Sequence, residues 1–161
     1  MSWDRRSGGR SSDPEAISVA TLVKARGAAL LDALELHLPG ARDHADGTAS
    51  YAFATAAELG LDREHAEAVR EAAACQWIAG TAERFEGGGP GGLSGEDIPL
   101  EARIIRVACE CDGALATPLP PGWTEGPTAV AIERLRGAAG SELDPRVVDA
   151  LAGVLGRVAA T

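Results

Sequence analysis

Apolar residues recur with helical spacing through most of the chain, and proline or glycine interrupts them at intervals. The first predicted helix, for example, places Ile17, Leu22, Leu30 and Leu34 on one apolar face. Between the interruptions, the pattern predicts six helices, over about residues 14–38, 42–59, 63–84, 99–116, 128–138 and 145–158. We therefore expect an all-α protein, a bundle of five or six helices.

Residues that begin or end helices support these boundaries. Gly60 follows the second predicted helix as a stop signal, and Asp62 is expected to cap the third. Asp97 is a candidate cap for the fourth helix, with Pro99 in its first turn. Asp144, followed by proline, is expected to open the sixth.

The third and fourth helices flank a glycine-rich segment, which has six glycines in the nine positions 87–95. Glycine loses more backbone entropy on ordering than any other residue, so this segment cannot form the interior of a helix. We expect it to act as a hinge between helices.

Composition indicates a single helical domain. The chain has 161 residues, of which 45% are hydrophobic and only 4% aromatic. Alanine is abundant and β-branched residues are sparse, so we expect a core of small aliphatic side chains. Residues 1–12 are rich in Arg, Gly and Ser and are expected to be a disordered tail, with the domain at 13–161. Trp123 is expected to fold back onto the core.

The net charge of −9 disfavours binding to nucleic acid or to an anionic membrane surface. We see no secretory signal, and no apolar run approaches the roughly 20 residues that span a bilayer. Three cysteines, an odd number, suggest reduced thiols. A cytoplasmic location is therefore expected.

The segment from Glu83 to Ile104 resembles the signature region of the HD-GYP domain, a family of bacterial cyclic di-GMP phosphodiesterases. The residues that match the family pattern in order are Glu83, Arg84, Gly87, Gly89, Pro90, Gly92, Leu93, Gly95, Ile98, Pro99, Ala102, Arg103 and Ile104. Weaker similarity extends over about residues 30–155. The resemblance implies an HD-like helical bundle.

The departures from the family pattern fall on its metal ligands. Gln76 and Trp77 stand where the family has a His-Asp pair. Thr81 and Ala82 replace paired histidines, and Cys109 replaces a later Asp. The several tens of residues that separate these motifs in the family are missing, so we expect an abridged bundle in which residues 62–84 fuse two family helices.

The resemblance leaves His44 as the one retained ligand-type position. An ordinary, partly exposed histidine near a helix N-terminus is the favoured alternative. One ligand cannot hold a catalytic ion, so we expect no catalytic residue, no metal and no cofactor. Cys109 and Cys111 point apart on a helix and, with Cys75, are expected to be small buried residues.

Glu83, Arg84 and Arg103 are candidate remnants of a ligand pocket, in which Arg103 would contact a phosphate. The favoured alternative is structural: Arg103 pairs with Glu83 or Glu86 and pins the glycine-rich segment onto the fourth helix.

The leading functional hypothesis is a non-catalytic regulatory or protein-interaction module in bacterial cyclic dinucleotide signalling, with a cyclic dinucleotide as a candidate ligand. We expect a protein partner or a homodimer, formed through apolar faces of the third and fourth helices that the missing segment leaves bare. The alternative is a residual metal-dependent phosphodiesterase or phosphohydrolase acting on cyclic di-GMP or a related nucleotide. A decayed remnant without a selected role is the third hypothesis.

Overall fold

The computed structural model describes residues 19–74, 82–119 and 121–160, with side chains from residue 27 onwards. This part of the chain contains six α-helices and no β-strand, which confirms the all-α prediction. The helices are α1 (Val19–His37), α2 (Ala41–Glu58), α3 (Arg63–Ala74), α4 (Leu100–Ala116), α5 (Pro127–Ala138) and α6 (Pro145–Ala159). A short 3₁₀ turn, Gly95–Asp97, precedes α4.

Helix α2 lies at the centre of the bundle and packs against α1, α3, α4 and α6. Its buried face consists of alanine and threonine, which lets the neighbouring helices approach closely. The larger core residues come from the surrounding elements, among them Val69, Ile104, Leu135, Leu143 and Leu151. The expected core of small and aliphatic side chains is confirmed.

Several helix boundaries follow the predicted signals. Gly60, two residues past the last residue of α2, adopts a φ of 85°. Asp62 accepts the His65 N–H at 2.9 Å, and Asp144 accepts the Arg146 N–H at 2.8 Å. The prediction for Asp97 is wrong, because Asp97 lies in the 3₁₀ turn and α4 begins after Pro99 with no side-chain cap.

The prediction of a helix that continues to Arg84 is also wrong, since residues 82–84 are irregular. The cause lies in their hydrogen bonds. Glu83 reaches forward to amides of the glycine-rich segment, and Phe85 and Glu86 donate their N–H groups to carbonyls of the α5–α6 loop. These bonds hold the backbone in a path that is incompatible with a helix ending at residue 84.

Two further predictions concern the edges of the domain. Trp123 does not fold back onto the core: it is 45% exposed, in an irregular segment next to Gly122, whose φ is 84°. The predicted tail at residues 1–12 and the predicted start of the first helix at residue 14 lie outside the described residues. Among the described helices, none has the length and apolar character needed to cross a membrane.

Candidate functional site

The glycine-rich segment is docked on the loop between α5 and α6. The Phe85 N–H donates to the Glu142 carbonyl at 3.1 Å, and the Glu86 N–H donates to the Ser141 carbonyl at 2.8 Å. The segment also closes on itself, because the Gly95 N–H donates to the Phe85 carbonyl at 2.7 Å. The backbone that leads into α4 is therefore held against the α5–α6 loop.

Glu83 organises this loop from within. Its carboxylate accepts the N–H groups of Gly91 and Leu93. A Cβ at Gly89 would lie 2.7 Å from the Glu83 Cα, which leaves no room for a side chain at this position unless the backbone shifts. Part of the glycine pattern is thus explained by close packing over Glu83.

Arg103 makes a buried ion pair, but with a different partner from those expected. Its guanidinium lies 2.5 Å from the Asp144 carboxylate and also donates to the Ile98 carbonyl at 2.8 Å. The two ion-pair side chains are only 11% and 3% exposed. The predicted pairing of Arg103 with Glu83 or Glu86 is therefore wrong: Asp144, the cap of α6, occupies that position instead.

Glu83, Arg84 and Arg103, the three expected ligand residues, do not surround a common pocket. Glu83 and Arg103 line a cavity of about 30 Å³, which has room for about one or two water molecules. Arg106 lines it too, and its Nε is buried without a hydrogen-bond partner. Arg84 lies apart at the surface, paired with Glu86 at 2.6 Å. The cavity is too small for a nucleotide.

A second cluster forms where α2 crosses α4. His44, in the first turn of α2, places its Nδ1 2.6 Å from Asp112 Oδ2. The other ring nitrogen, Nε2, lies 3.5 Å from the Cys109 Sγ. The His44 and Asp112 side chains are 23% and 19% exposed. His44 is thus a partly exposed residue near the N-terminus of α2, and in addition its ring joins two helices.

Small residues make this approach possible. A Cβ on Gly47 would overlap the Asp112 carboxylate, lying 2.9 Å from its Cγ. Tyr51 lies nearby on α2, and burial raises the pKa of its hydroxyl, with Cys111 and Asp112 adding to the rise. Helices α2 and α4 are therefore closely packed where they cross, and several polar and ionisable groups lie at this contact.

The two α4 cysteines differ in environment. Cys111 is 0% exposed, and burial raises the pKa of its thiol to about 12, with Asp112 adding to the rise. Cys109 is only partly buried and faces His44. The expectation of a small buried residue is confirmed for Cys111, but it misses the contact that Cys109 makes. Cys75 lies outside the described residues.

Sequence reasoning missed Asp112 altogether. The available signal was its spacing: Cys109 and Asp112 are three residues apart, and therefore share one face of α4. Their convergence on His44 depends on how α2 crosses α4. That crossing is a tertiary feature, which the local pattern does not contain.

The residues present do not fit the metal centre that the resemblance implies. Within the described ranges, no group of three or more His, Cys, Asp and Glu side chains is arranged to hold an ion. His44, the retained ligand-type residue, has one nitrogen against Asp112 and the other against Cys109. Ala82, at a position where the family has histidine, is exposed and lies in the irregular segment.

Comparison with curated proteins finds a partial match. The chain is 48% identical over 71 residues to the cyclic di-GMP phosphodiesterase response regulator RpfG of Xanthomonas campestris pv. campestris (strain 8004). The match covers 43% of this chain and 18% of that protein. No protein-family model matches the chain, and no solved structure matches it. The sequence similarity supports a relationship to HD-GYP proteins over part of the chain.

Proposed function

We propose that this chain is a non-catalytic relative of cyclic di-GMP phosphodiesterases that acts as an interaction module in cyclic di-GMP signalling. The observation that carries the proposal is the pair of contacts that the His44 ring makes. This residue stands at a ligand-type position of the family, yet its ring bridges Asp112 and Cys109 across the α2–α4 crossing. The histidine has been kept while its role has changed to a contact between helices.

The signalling context rests on the similarity to RpfG. Identity of 48% over 71 residues is high enough to indicate common ancestry, although the match spans only 18% of that protein. Residues 83–104, which carry the resemblance, also form structural contacts here.

The loss of catalysis rests on ligand chemistry. Metal-assisted hydrolysis of a phosphodiester needs ions that activate water and hold the phosphate. Such ions need several converging His and carboxylate ligands. Four of the positions that supply them in the family hold side chains that are not typical ligands of such ions: Gln76, Trp77, Thr81 and Ala82. At the fifth position, Cys109 replaces the hard carboxylate with a softer thiol.

The interaction role is supported by exposed apolar residues around α1. Leu36 is 83% exposed, and Leu30 and Leu38 are also exposed. Among the large apolar side chains exposed in the described part, none belongs to α3 or α4. We therefore propose that the partner, another protein or a second copy of this chain, binds at α1.

Cyclic di-GMP remains the proposed ligand, and the geometry favours Arg84 for a phosphate contact. Arg103 is committed to Asp144, whereas Arg84 lies at the surface of the glycine-rich loop beside Glu86. Calorimetric titration with cyclic di-GMP tests this. Binding that Arg84→Ala leaves unchanged would contradict the assignment.

The experiment that tests the proposed function combines turnover and assembly. We expect no hydrolysis when the purified chain is incubated with cyclic di-GMP and added manganese or iron, followed by chromatography. Turnover that disappears in His44→Ala would restore the phosphodiesterase alternative.

For assembly, light scattering at micromolar concentration is expected to show a homodimer that Leu36→Glu dissociates. Val158→Glu, at a side chain that is 71% exposed on α6, is the matched control and is expected to leave the dimer intact. A monomer at every concentration would contradict self-association. A pulldown from the source cell extract, with cyclic di-GMP present and absent, then tests for a different protein partner.

A further inference from the structure

The side chains of Asp112, His44 and Cys109 form a line of contacts across the α2–α4 crossing. Asp112 Oδ2 lies 2.6 Å from His44 Nδ1, and His44 Nε2 lies 3.5 Å from Cys109 Sγ. Carboxylate, imidazole and thiol stand in the order found in cysteine-dependent catalysis, where the imidazole takes the thiol proton and the carboxylate orients the imidazole.

We propose that Cys109 is a reactive thiol and a site of oxidation by peroxides, with His44 as the base that accepts its proton and Asp112 as the residue that positions His44. The proposal shares the His44 contacts with the proposed function but does not involve cyclic di-GMP, so measurements of thiol reactivity and of cyclic di-GMP turnover test the two separately.

The distances between the three side chains indicate which of them gives up, accepts or stabilises the proton. When Asp112 accepts the proton on Nδ1, the Nε2 atom of neutral His44 faces Cys109 as an acceptor. Transfer of the thiol proton then gives a thiolate beside an imidazolium whose charge the Asp112 carboxylate offsets. The close contact with Gly47 limits where the carboxylate can move, which keeps it aimed at His44.

Access distinguishes Cys109 from its neighbour. Cys109 and His44 are partly exposed, whereas Cys111 is fully buried. That burial raises the pKa of the Cys111 thiol to about 12, which makes it unreactive. The net charge of −9 disfavours anionic reagents, whereas hydrogen peroxide is small and uncharged.

The reaction balances without a metal. The Cys109 thiolate attacks one oxygen of the peroxide, a sulfur–oxygen bond forms, and the oxygen–oxygen bond breaks. The departing hydroxide takes the proton that His44 received from the thiol and leaves as water. Sulfur is oxidised by two electrons to a sulfenic acid, and the peroxide is reduced. Cys111 points to another side of α4, so it does not resolve the product, and an external thiol returns Cys109 to its reduced form.

The first test measures alkylation by iodoacetamide in the presence of a chelator, with fragment-ion mass spectrometry to separate Cys109 from Cys111. The same measurement is made on the chain unfolded in urea at the same pH. We expect Cys109 to react at least about tenfold faster in the folded chain. Partial burial alone predicts the opposite order, so an equal or slower rate in the folded chain would overturn the proposal.

Two variants locate the cause of the reactivity. We expect Asp112→Asn and His44→Gln to lower the Cys109 rate to that of the unfolded chain or below. Asp43→Asn, an exposed carboxylate beside His44 on α2, is the matched control and is expected to leave the rate unchanged. Cys111 labelling reports unfolding in the same samples. If a variant unfolds, the proposal is judged from the Cys109 alkylation rates of the unmutated chain in its folded and urea-unfolded forms. A folded Asp112→Asn that reacts as fast as the native chain would exclude the positioning role.

The second test identifies the oxidant class. Hydrogen peroxide is added with dimedone, which traps sulfenic acids. We expect the adduct on Cys109, its absence from Cys111, and its loss in Asp112→Asn. A fast alkylation of Cys109 without any dimedone adduct would overturn the assignment to peroxides.

Discussion

Two regions of the molecule differ in how their match to the HD-GYP pattern relates to what their side chains do. They are the glycine-rich loop, which comprises residues 83–97, and the crossing of α2 and α4. The loop contains most of the residues that match the HD-GYP pattern, yet its side chains serve structure: Glu83 caps backbone amides of the loop itself. The crossing contains Cys109, a departure from that pattern, and there three reactive side chains meet. In this chain the matched residues maintain the scaffold, and the changed residue alters the chemistry.

The largest effect is expected for Arg103→Leu, which removes the partner of a carboxylate that is almost fully buried. Leaving Asp144 unpaired is expected to lower the free energy of unfolding by about 3 kcal/mol. Urea unfolding followed by circular dichroism measures it. Arg84→Leu, in an exposed pair of the glycine-rich loop, is the matched control, with an expected change below about 0.5 kcal/mol. Similar losses in both variants would show that the buried pair stabilises the fold no more than an exposed one.

A smaller loss of stability is expected for Gly47→Ala at the crossing. The added Cβ would overlap the Asp112 carboxylate and force α2 and α4 apart, at a cost of about 1–3 kcal/mol.

The matched control for this change is Gly113→Ala on α4, where a Cβ meets nothing within 4 Å. Because alanine favours helix, that change is expected to stabilise the chain by about 0.5–1 kcal/mol. Urea unfolding of both variants is the measurement. Equal stabilisation by the two substitutions would mean that the crossing is not tightly packed.

Glu83→Ala should have the smallest effect, because its carboxylate is only half-buried. Loss of its bonds to the amides of Gly91 and Leu93 is expected to cost about 1 kcal/mol. Hydrogen exchange at those two amides should become faster, while Glu86→Ala leaves both protected. Unchanged exchange in Glu83→Ala would show that the loop is held from outside.

The local parts of the fold could be predicted from sequence. Apolar periodicity and the signals at Gly60, Asp62 and Asp144 gave helix positions close to those observed, because these features act within one or two helical turns. The helix expected to reach residue 84 failed because Glu83 bonds to amides that follow it in the chain by eight and ten residues.

The contacts of the candidate site could not be predicted for the same physical reason, because they join residues that are far apart in the chain. Arg103 meets Asp144 across 41 residues, and His44 meets Asp112 across 68. Charge and spacing indicated that Arg103 would find a carboxylate, but Glu83, Glu86 and Asp144 are equivalent in that respect. Only the packing of α4 against the start of α6 selects between them.

The central claim is that His44 is retained as a contact between helices and not as a metal ligand. Elemental analysis tests it most directly, on protein incubated with manganese or iron and then passed through gel filtration. We expect less than about 0.1 ion per chain, because the ligands that would offset an ion's dehydration are missing. One or more manganese or iron ions per chain, lost in His44→Ala, would contradict the account.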